Sequence, residues 1–508
     1  MIKRLIPLSL VVLAIGFLAC LSGCHQKTHI DAAKPQLTLL YNIEEESTEK
    51  SAIAQILQSQ LGKAGIQVTL QPVANSVFYQ HIGAGDYQCA LGLWYLDYND
   101  PEGFLTDFYS KAGFRMSGYQ NGDYDKAYLS GLLAPTHDGK RLGFAHAQEI
   151  LLQDLPWIPL YSNDELFLLS QGTSGFRSNA YQYYDYRRVE KPSLKVASNI
   201  ELQTFDPALV YDLASKHVAT QSYEGLVAMD SNLAIVPALA ESWRFSPSGD
   251  LLTFTLRKGV HFHGNFGILN AGDVKASFER MLRSNSPYAY IFDYVVGIDD
   301  FRSGKAKHVS GFQVAGPLSF SIQLKQPFPT MLTWLLAPAA FILPAELPAN
   351  YNFQKASAGT GPFVLKKWDG AVASLDANNA YWGRTADGRT LPIPKSLSIR
   401  TMKDVNSMLT AFQQGDLDIL DVPLALYNEV LDENGKVRAK YAGYEFRETP
   451  LNNLKFIAFR MDKAPWGKDV ELRREVSLAI DREVIVKDLF RGHARTATNI
   501  IPSGMTNW

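Results

Sequence analysis

The sequence predicts an α/β protein in which mixed sheets are flanked by helices, and three observations predict it. Leu37-Thr38-Leu39-Leu40-Tyr41 is β-like, residues 51–63 place Ile53, Ile56, Leu57 and Leu61 on one helical face, and residues 66–70 alternate as a strand. That order has a parallel strand pair as its natural outcome. A second series of strands and helices starts at Ser193. Finally, 508 residues that are 46% hydrophobic can bury cores for two or three domains.

At the start of the chain, Lys3 and Arg4 precede an apolar segment, residues 5–18, that is short for a membrane span. Leu21-Ser22-Gly23-Cys24 follows and resembles the bacterial lipobox, whose cysteine is acylated and becomes the new N-terminus. Residues 1–23 are therefore expected to be a lipoprotein signal peptide, Cys24 the lipidation site, and 24–35 a polar tether. An ordinary signal peptide with a chance cysteine is the alternative. Cleavage at Cys24 removes Cys20 and leaves Cys89 as the one free thiol, so no intramolecular disulfide is expected. No later segment approaches 18 continuous apolar residues, and the remainder is expected to be soluble.

After Gly65, a C-cap, and the strand at 66–70, the apolar run Cys89 to Leu93 reads as a buried strand that Pro101 keeps from pairing further. Between them lie Trp94, Tyr95, Leu96, Asp97 and Tyr98. An acid and aromatics at a strand's C-terminal end are the parts of a pocket for an amine, although an aromatic cluster with one capping acid is also ordinary core. Residues 119–133 read as loop then helix, and 141–153 as an amphipathic helix. Leu155-Pro156-Trp157-Ile158-Pro159-Leu160-Tyr161, with two prolines, is expected to be an extended edge or crossover segment rather than a central strand. Residues 172–192, rich in Gly, Ser, Asn and Tyr, give the best internal boundary. Beyond it, Ser-Pro-Ser-Gly-Asp at 246–250 precedes alternating Leu252, Phe254 and Leu256, a hairpin signal; helices are expected at 270–281, with Asp273 at its start, at 405–414 and over 470–490, and a strand at 417–422.

Composition and motifs exclude several functions. The balance of 49 basic against 51 acidic residues, without single-sign runs, argues against nucleic acid as a partner. There is no Gly-x-Ser-x-Gly, no His-Glu-x-x-His and no Cys-His set. Asp97 and Asp100 could serve a hydrolase as a carboxylate pair, but residues three apart at a strand end seldom face each other at catalytic separation. His261 and His263 share a strand face that a metal could bridge, with an ordinary surface or packing role favoured. His493 has no partner evident in the sequence.

Several segments together resemble one family, the bacterial periplasmic solute-binding proteins of the peptide and nickel type (family 5), which serve ATP-driven importers. They are Thr204-Phe205-Asp206-Pro207, Tyr223-Glu224-Gly225-Leu226, Glu241-Ser242-Trp243, residues 256–263, Ala271-Gly272-Asp273-Val274 with Ser277 and Arg280, and Gly359-Thr360-Gly361-Pro362-Phe363. To these are added Asn379-Ala380-Tyr381-Trp382-Gly383, residues 472–482, 94–101 and 147–161. The order differs from the family's: its C-terminal portion, residues 36–188, here precedes its N-terminal portion, 190–508. The resemblance thus implies a circular permutation, with the old ends joined at 175–192, or else a fusion of two partial proteins. Under permutation, residues 450–508 pack with 36–165. The helix that family members usually carry where the new ends fall is missing.

The resemblance implies a two-lobed periplasmic-binding-protein fold with an extra subdomain: residues 36–165 the first part of lobe 2, 166–447 lobe 1 with the subdomain, 448–508 the second part of lobe 2. It implies ligand between lobes that close on a hinge. Asp97 falls where peptide-binding members hold the α-amine, with the backbone of Leu93 and Tyr95 pairing with the peptide as an added strand, while Trp94 and Tyr98 either wall the pocket or join the core. Tyr223 and Glu224 match a segment close to the ligand, and Tyr161 and Asn453 sit near the lobe crossings. Gly359-Thr360-Gly361-Pro362 is expected to shape a tight turn, and Arg482 to form a structural ion pair in its helix. The expected protein is a non-enzymatic, lipid-anchored, monomeric binding lipoprotein of the cell envelope. It would deliver a peptide or similar small solute to an importer's permease subunits, with no cofactor implied. A hydrolase, a nickel, metal-chelate or sugar binder, and a sensor without an importer are the alternatives.

Overall fold

The computed structural model describes residues 36–43, 48–96, 98–113, 115–505 and 508. The expected signal peptide, Cys24, the tether and Asp97 lie outside the described residues.

The first unit forms as the periodicity predicts. β1 (Leu37–Ile43) and β2 (Val68–Ala74) pair in parallel, Leu37 opposite Val68, with α1 (Thr48–Lys63) between them in sequence. Ile53, Leu57 and Leu61 of α1 are buried, and Gly65, at φ +79°, turns the chain so that the Ile66 N–H donates to the Leu61 carbonyl. α2 (Asn75–Ala84) leads to β3 (Cys89–Trp94), parallel to β1 with Leu39 opposite Cys89. A short α3 (Glu102–Leu105) starts directly after Pro101. Asn121 caps α4 (Gly122–Leu132) and Thr136 caps α5 (His137–Asp154), which is why α5 begins before its first amphipathic turn.

β4 (Trp157–Leu169) corrects the reading of the Pro-Trp-Ile-Pro stretch. It is a 13-residue strand in the middle of the sheet, not an edge. Pro159 is tolerated there because it faces Phe456 where the neighbour's register shifts between Lys455 and Phe456, so its missing N–H falls at an irregularity in the ladder.

The second series follows in order: β5 (Ser193–Ser198), α6 (Leu213–Ser222), the hairpins β6 (Val227–Met229) with β7 (Ile235–Pro237) and β8 (Ala240–Phe245) with β9 (Leu251–Leu256), and α7 (Ala271–Arg283). Leu252, Phe254 and Leu256 are buried, as their alternation predicts, and Asn270 with Asp273 closes a capping box on α7. Then come α8 (Ile298–Arg302), β10 (Phe312–Gly316), β11 (Ser319–Gln323), α9 (Thr330–Trp334), β12 (Phe363–Trp368), β13 (Val372–Ala377), β14 (Ser396–Thr401), α10 (Val405–Gln413) and β15 (Ile419–Asp421). The chain closes with α11 (Tyr427–Val430), β16 (Glu445–Pro450), β17 (Leu454–Phe459), α12 (Val470–Ala479), α13 (Arg482–Val484) and β18 (Ala494–Thr496).

One large mixed sheet runs β12-β13-β14-β5-β15-β4-β17-β3-β1-β2, with β16 and β18 also paired to β4. A separate sheet runs β10-β11-β9-β8 and packs on α7. The first half of β4 lies on β17, Ile158 opposite Ile457; its second half lies on β15 and β16, with Leu168 opposite both Leu420 and Phe446. β17 therefore sits between β3 and β4, so residues 454–459 do pack with residues 36–165. On one face of the sheet Trp157 stacks on Phe456 at 3.6 Å in a core that extends to Phe278 and Trp334; on the other, Leu57, Ile457 and Leu168 pack with Phe412.

Candidate functional site

Side chains alternate along the end of β3. Trp94 points to the Trp157 side, ring centroids 5.8 Å apart, and its Nε1 donates to the Gly103 carbonyl at 2.8 Å. Leu93, opposite Lys455, and the exposed Tyr95 lie on the other side, where the Lys455 ammonium is 6.0 Å from the Tyr95 ring. Tyr98 is buried and donates to Glu102 Oε2 at 3.0 Å. Glu102 also accepts from Tyr128 at 3.0 Å and from Trp334 Nε1 at 3.1 Å. Burial, then the neighbouring Asp100, pushes the Glu102 carboxyl up. Asp100 is itself buried and accepts from Lys140, whose ammonium also reaches Thr330 Oγ1 at 2.8 Å, and from the Glu102 N–H at 3.0 Å. Tyr98 and Asp100 thus belong to a polar cluster that fastens residues 98–140 to α9.

Tyr161 and Asn453 come together with Tyr95 around two groups that sequence reasoning missed, Glu49 and Lys455. Lys455 donates to Glu49 Oε1 at 2.9 Å and to Asn163 Oδ1 at 3.0 Å; Tyr161 donates to the same Glu49 oxygen at 2.8 Å. Asn453 Nδ2 donates to Asn163 Oδ1 at 2.9 Å. Burial works against the Glu49 charge, but the Lys455 ammonium and these hydrogen bonds hold its carboxyl below the usual range. The one available signal was Lys455 itself, a lone cation in the otherwise apolar strand Leu-Lys-Phe-Ile-Ala-Phe.

Tyr223 and Glu224 stand elsewhere, on a cavity of about 540 Å³ whose lining does not include Leu93, Trp94, Tyr95, Tyr98, Tyr161 or Asn453. Glu224 accepts from Thr360 Oγ1 and Tyr381 OH, each at 2.9 Å, and from Trp382 Nε1 at 3.0 Å; burial nonetheless pushes its carboxyl up. Arg187, forked onto Asp185, donates to Tyr381 OH at 3.0 Å, and Arg257 lies over Trp382 at 4.2 Å. Glu224 thereby joins the Gly-Thr-Gly-Pro, Tyr-Glu-Gly and Tyr-Trp-Gly segments. The glycines permit close approach: a Cβ on Gly359 would stand 2.1 Å from the Ser222 carbonyl oxygen, and one on Gly361 2.7 Å from that of Gln221.

His263 is buried, with Nδ1 2.9 Å from Ser357 Oγ and Nε2 2.9 Å from the Gly361 carbonyl oxygen, while His261 is exposed. Burial holds His263 down at about 4. It has the packing role that the sequence favoured. Among the described residues no group of three or more His, Cys, Asp and Glu could hold a metal ion. Arg482 is structural but not through the expected ion pair: it donates to the Pro159 carbonyl at 2.8 Å and to that of Ser477 at 3.2 Å, with no carboxylate partner among the described residues. No helix of the described residues is long and apolar enough to cross a membrane.

A family model described as "Bacterial extracellular solute-binding proteins, family 5 Middle" matches residues 24–115 and 234–508. The glutathione-binding protein GsiB of Salmonella typhimurium is 26% identical over 311 residues, covering 60% of this chain and 56% of that protein. GsiB of Escherichia coli K12 is 27% identical over 311 residues, with the same coverage. The chain thus spans a little over half the length of these relatives. Among solved structures, the Escherichia coli murein tripeptide binding protein MppA is 22% identical, with 47% of this chain and 48% of that chain covered and a TM-score of 0.42. Listeria monocytogenes OppA bound to peptide is 20% identical, with 45% and 46% covered and a TM-score of 0.39.

Proposed function

The chain belongs to the bacterial extracellular solute-binding proteins, family 5, and on that premise we propose that it captures a peptide or similar small solute between two lobes and delivers it to the permease subunits of an ABC importer. Cys24 would carry the lipid anchor, and no chemical turnover is involved. The observation that carries the reading is β4: one strand whose first half is held by β17 and whose second half is held by β15 and β16. Such a crossing lets two bodies rotate about a few backbone bonds, with ligand contacts favouring the closed arrangement. Residues 36–165 with 448–508 form one lobe in this reading and 166–447 the other. The pairing of β17 with β3 and of β18 with β4 supports a circularly permuted chain.

Asp97 holds the ligand's α-amine by a charge-assisted bond, and the backbone of Leu93 and Tyr95 offers strand-like pairing. The register between β1 and β3 runs only over Leu39–Cys89 and Leu40–Ala90, which supports a usable edge further along β3. Titration calorimetry should find that Asp97→Asn weakens a free-amine peptide by about tenfold or more, the scale of one charge-assisted hydrogen bond, and its N-acetylated form far less. Equal loss for both would overturn the amine role. The solute itself is identified by mass spectrometry of what co-purifies; GsiB is named for glutathione, which favours short peptides as the first candidates.

A further inference from the structure

The segment entering β18 is fastened to the turn at 432–436 and to β16. His493 meets two acceptors at once: Nδ1 lies 2.9 Å from Glu448 Oε1 and Nε2 lies 2.8 Å from the Gly435 carbonyl oxygen. A neutral imidazole has one N–H and satisfies one of them; an imidazolium satisfies both. The approach is built into the turn. Gly435 has φ +76°, and a Cβ there would stand 2.4 Å from the Arg491 carbonyl oxygen and 3.1 Å from His493 Nε2. Arg491 adds a second tie, donating to the Leu431 carbonyl at 2.8 Å and to that of Asp432.

The charges around the imidazole come from several elements. Glu448 lies on β16, and Asp164 on β4, with Arg495 Nη1 of β18 3.4 Å from the Asp164 carboxylate. The Asp164 N–H donates to the His493 carbonyl at 3.1 Å, and the rings of Tyr427 and Phe446 lie 6.3 Å and 6.0 Å from the imidazole. In the turn, the Asp432 carboxylate accepts from the N–H groups of Asn434 and Lys436; Glu433 and Lys436 carry its other charges.

We propose that His493 is a proton-operated latch, which as imidazolium clamps the turn at 432–436 and β16 together beside the crossing strand, and which on losing its proton lets the turn go. The bond to Glu448 raises the His493 titration above the ordinary histidine value, so the latch is fully formed below that value and is lost as pH rises through the raised one. Asp164 acts in the opposite direction to that loss, since its negative charge favours the imidazolium. Burial, then its hydrogen bond to Glu448, pushes it up to about 6, so above that pH a second negative charge faces His493 and carries its release to higher pH. A consequence for solute capture rests on the two-lobed reading above; the latch itself does not.

Hydrogen exchange of wild type and His493→Gln, compared at equal pH without solute, tests it. Amides at 433–436 should exchange about tenfold more slowly in wild type at about pH 5.5, the scale of one hydrogen bond to a charged group, and at equal rates at about pH 9. A ratio that does not change with pH would overturn the latch. If the variant fails to fold, the His493 ring signals in wild type should titrate above the ordinary histidine value, and in Glu448→Gln lower than in wild type. A wild-type midpoint at or below the ordinary value would be equally fatal. Since neither measurement uses a solute, failure of the latch is separate from failure of the solute-binding reading.

Discussion

Lys140 and Asp100 are both buried and bonded, and Glu102, with its raised carboxyl, sits beside them. Removing the cation alone leaves the buried Asp100 carboxyl without its ammonium partner. Lys140→Met is therefore expected to cost about 3–5 kcal/mol in urea unfolding, while Lys140→Met with Asp100→Asn should recover most of it. A single variant as stable as the double would show that the ion pair is not the fastening. The same residues explain one limit of sequence reading. Asp100 was legible as an acid near a strand end, but its partner lies 40 positions away on α5 and the third member, Thr330, 190 positions beyond that.

At the scale of elements, the glycines of Gly359-Thr360-Gly361 differ from most others in having backbone against them. Gly359→Ala should destabilise by about 1–3 kcal/mol or more, because the Ser222 carbonyl is not the movable end of a side chain. Gly316→Ala, where nothing lies within 4 Å, should be near neutral in the same melting experiment and serves as the control. α1 and the β8–β9 hairpin were legible because each shows its own period, helical or alternating, within a dozen or so residues, β3 as a short continuous apolar run, and α7 from the acid at its start. β4 was not. Its prolines argued for an edge, and only the register shift opposite Pro159, made by a strand 297 residues later, removes the objection. For the site, the strand end at 93–98 and the Tyr223-Glu224 segment could be singled out. The Glu49–Lys455 pair could not, since its members are 406 positions apart and nothing local to either announces the other.

For the whole molecule, the chain order is the open question that the fold makes testable. In the permuted reading, a gene rearranged to encode residues 190–508, a flexible linker and then 36–188 should give a protein with the same circular dichroism and melting temperature within a few degrees, since contacts rather than the position of the cut define the fold. A rearranged chain that folds only in part would favour the fusion of two incomplete proteins. Whichever holds, β4 sets how the parts are coupled. Its backbone groups serve β17 and β18 on one stretch and β15 and β16 on the next. The two ladders occupy different residues of β4, 157–163 and 164–169, so one flank can lose its pairing while the other keeps its own. The two halves are then joined by a continuous strand rather than by shared hydrogen bonds, and any turning of one against the other is taken up where β4 changes partners, near residues 163–164.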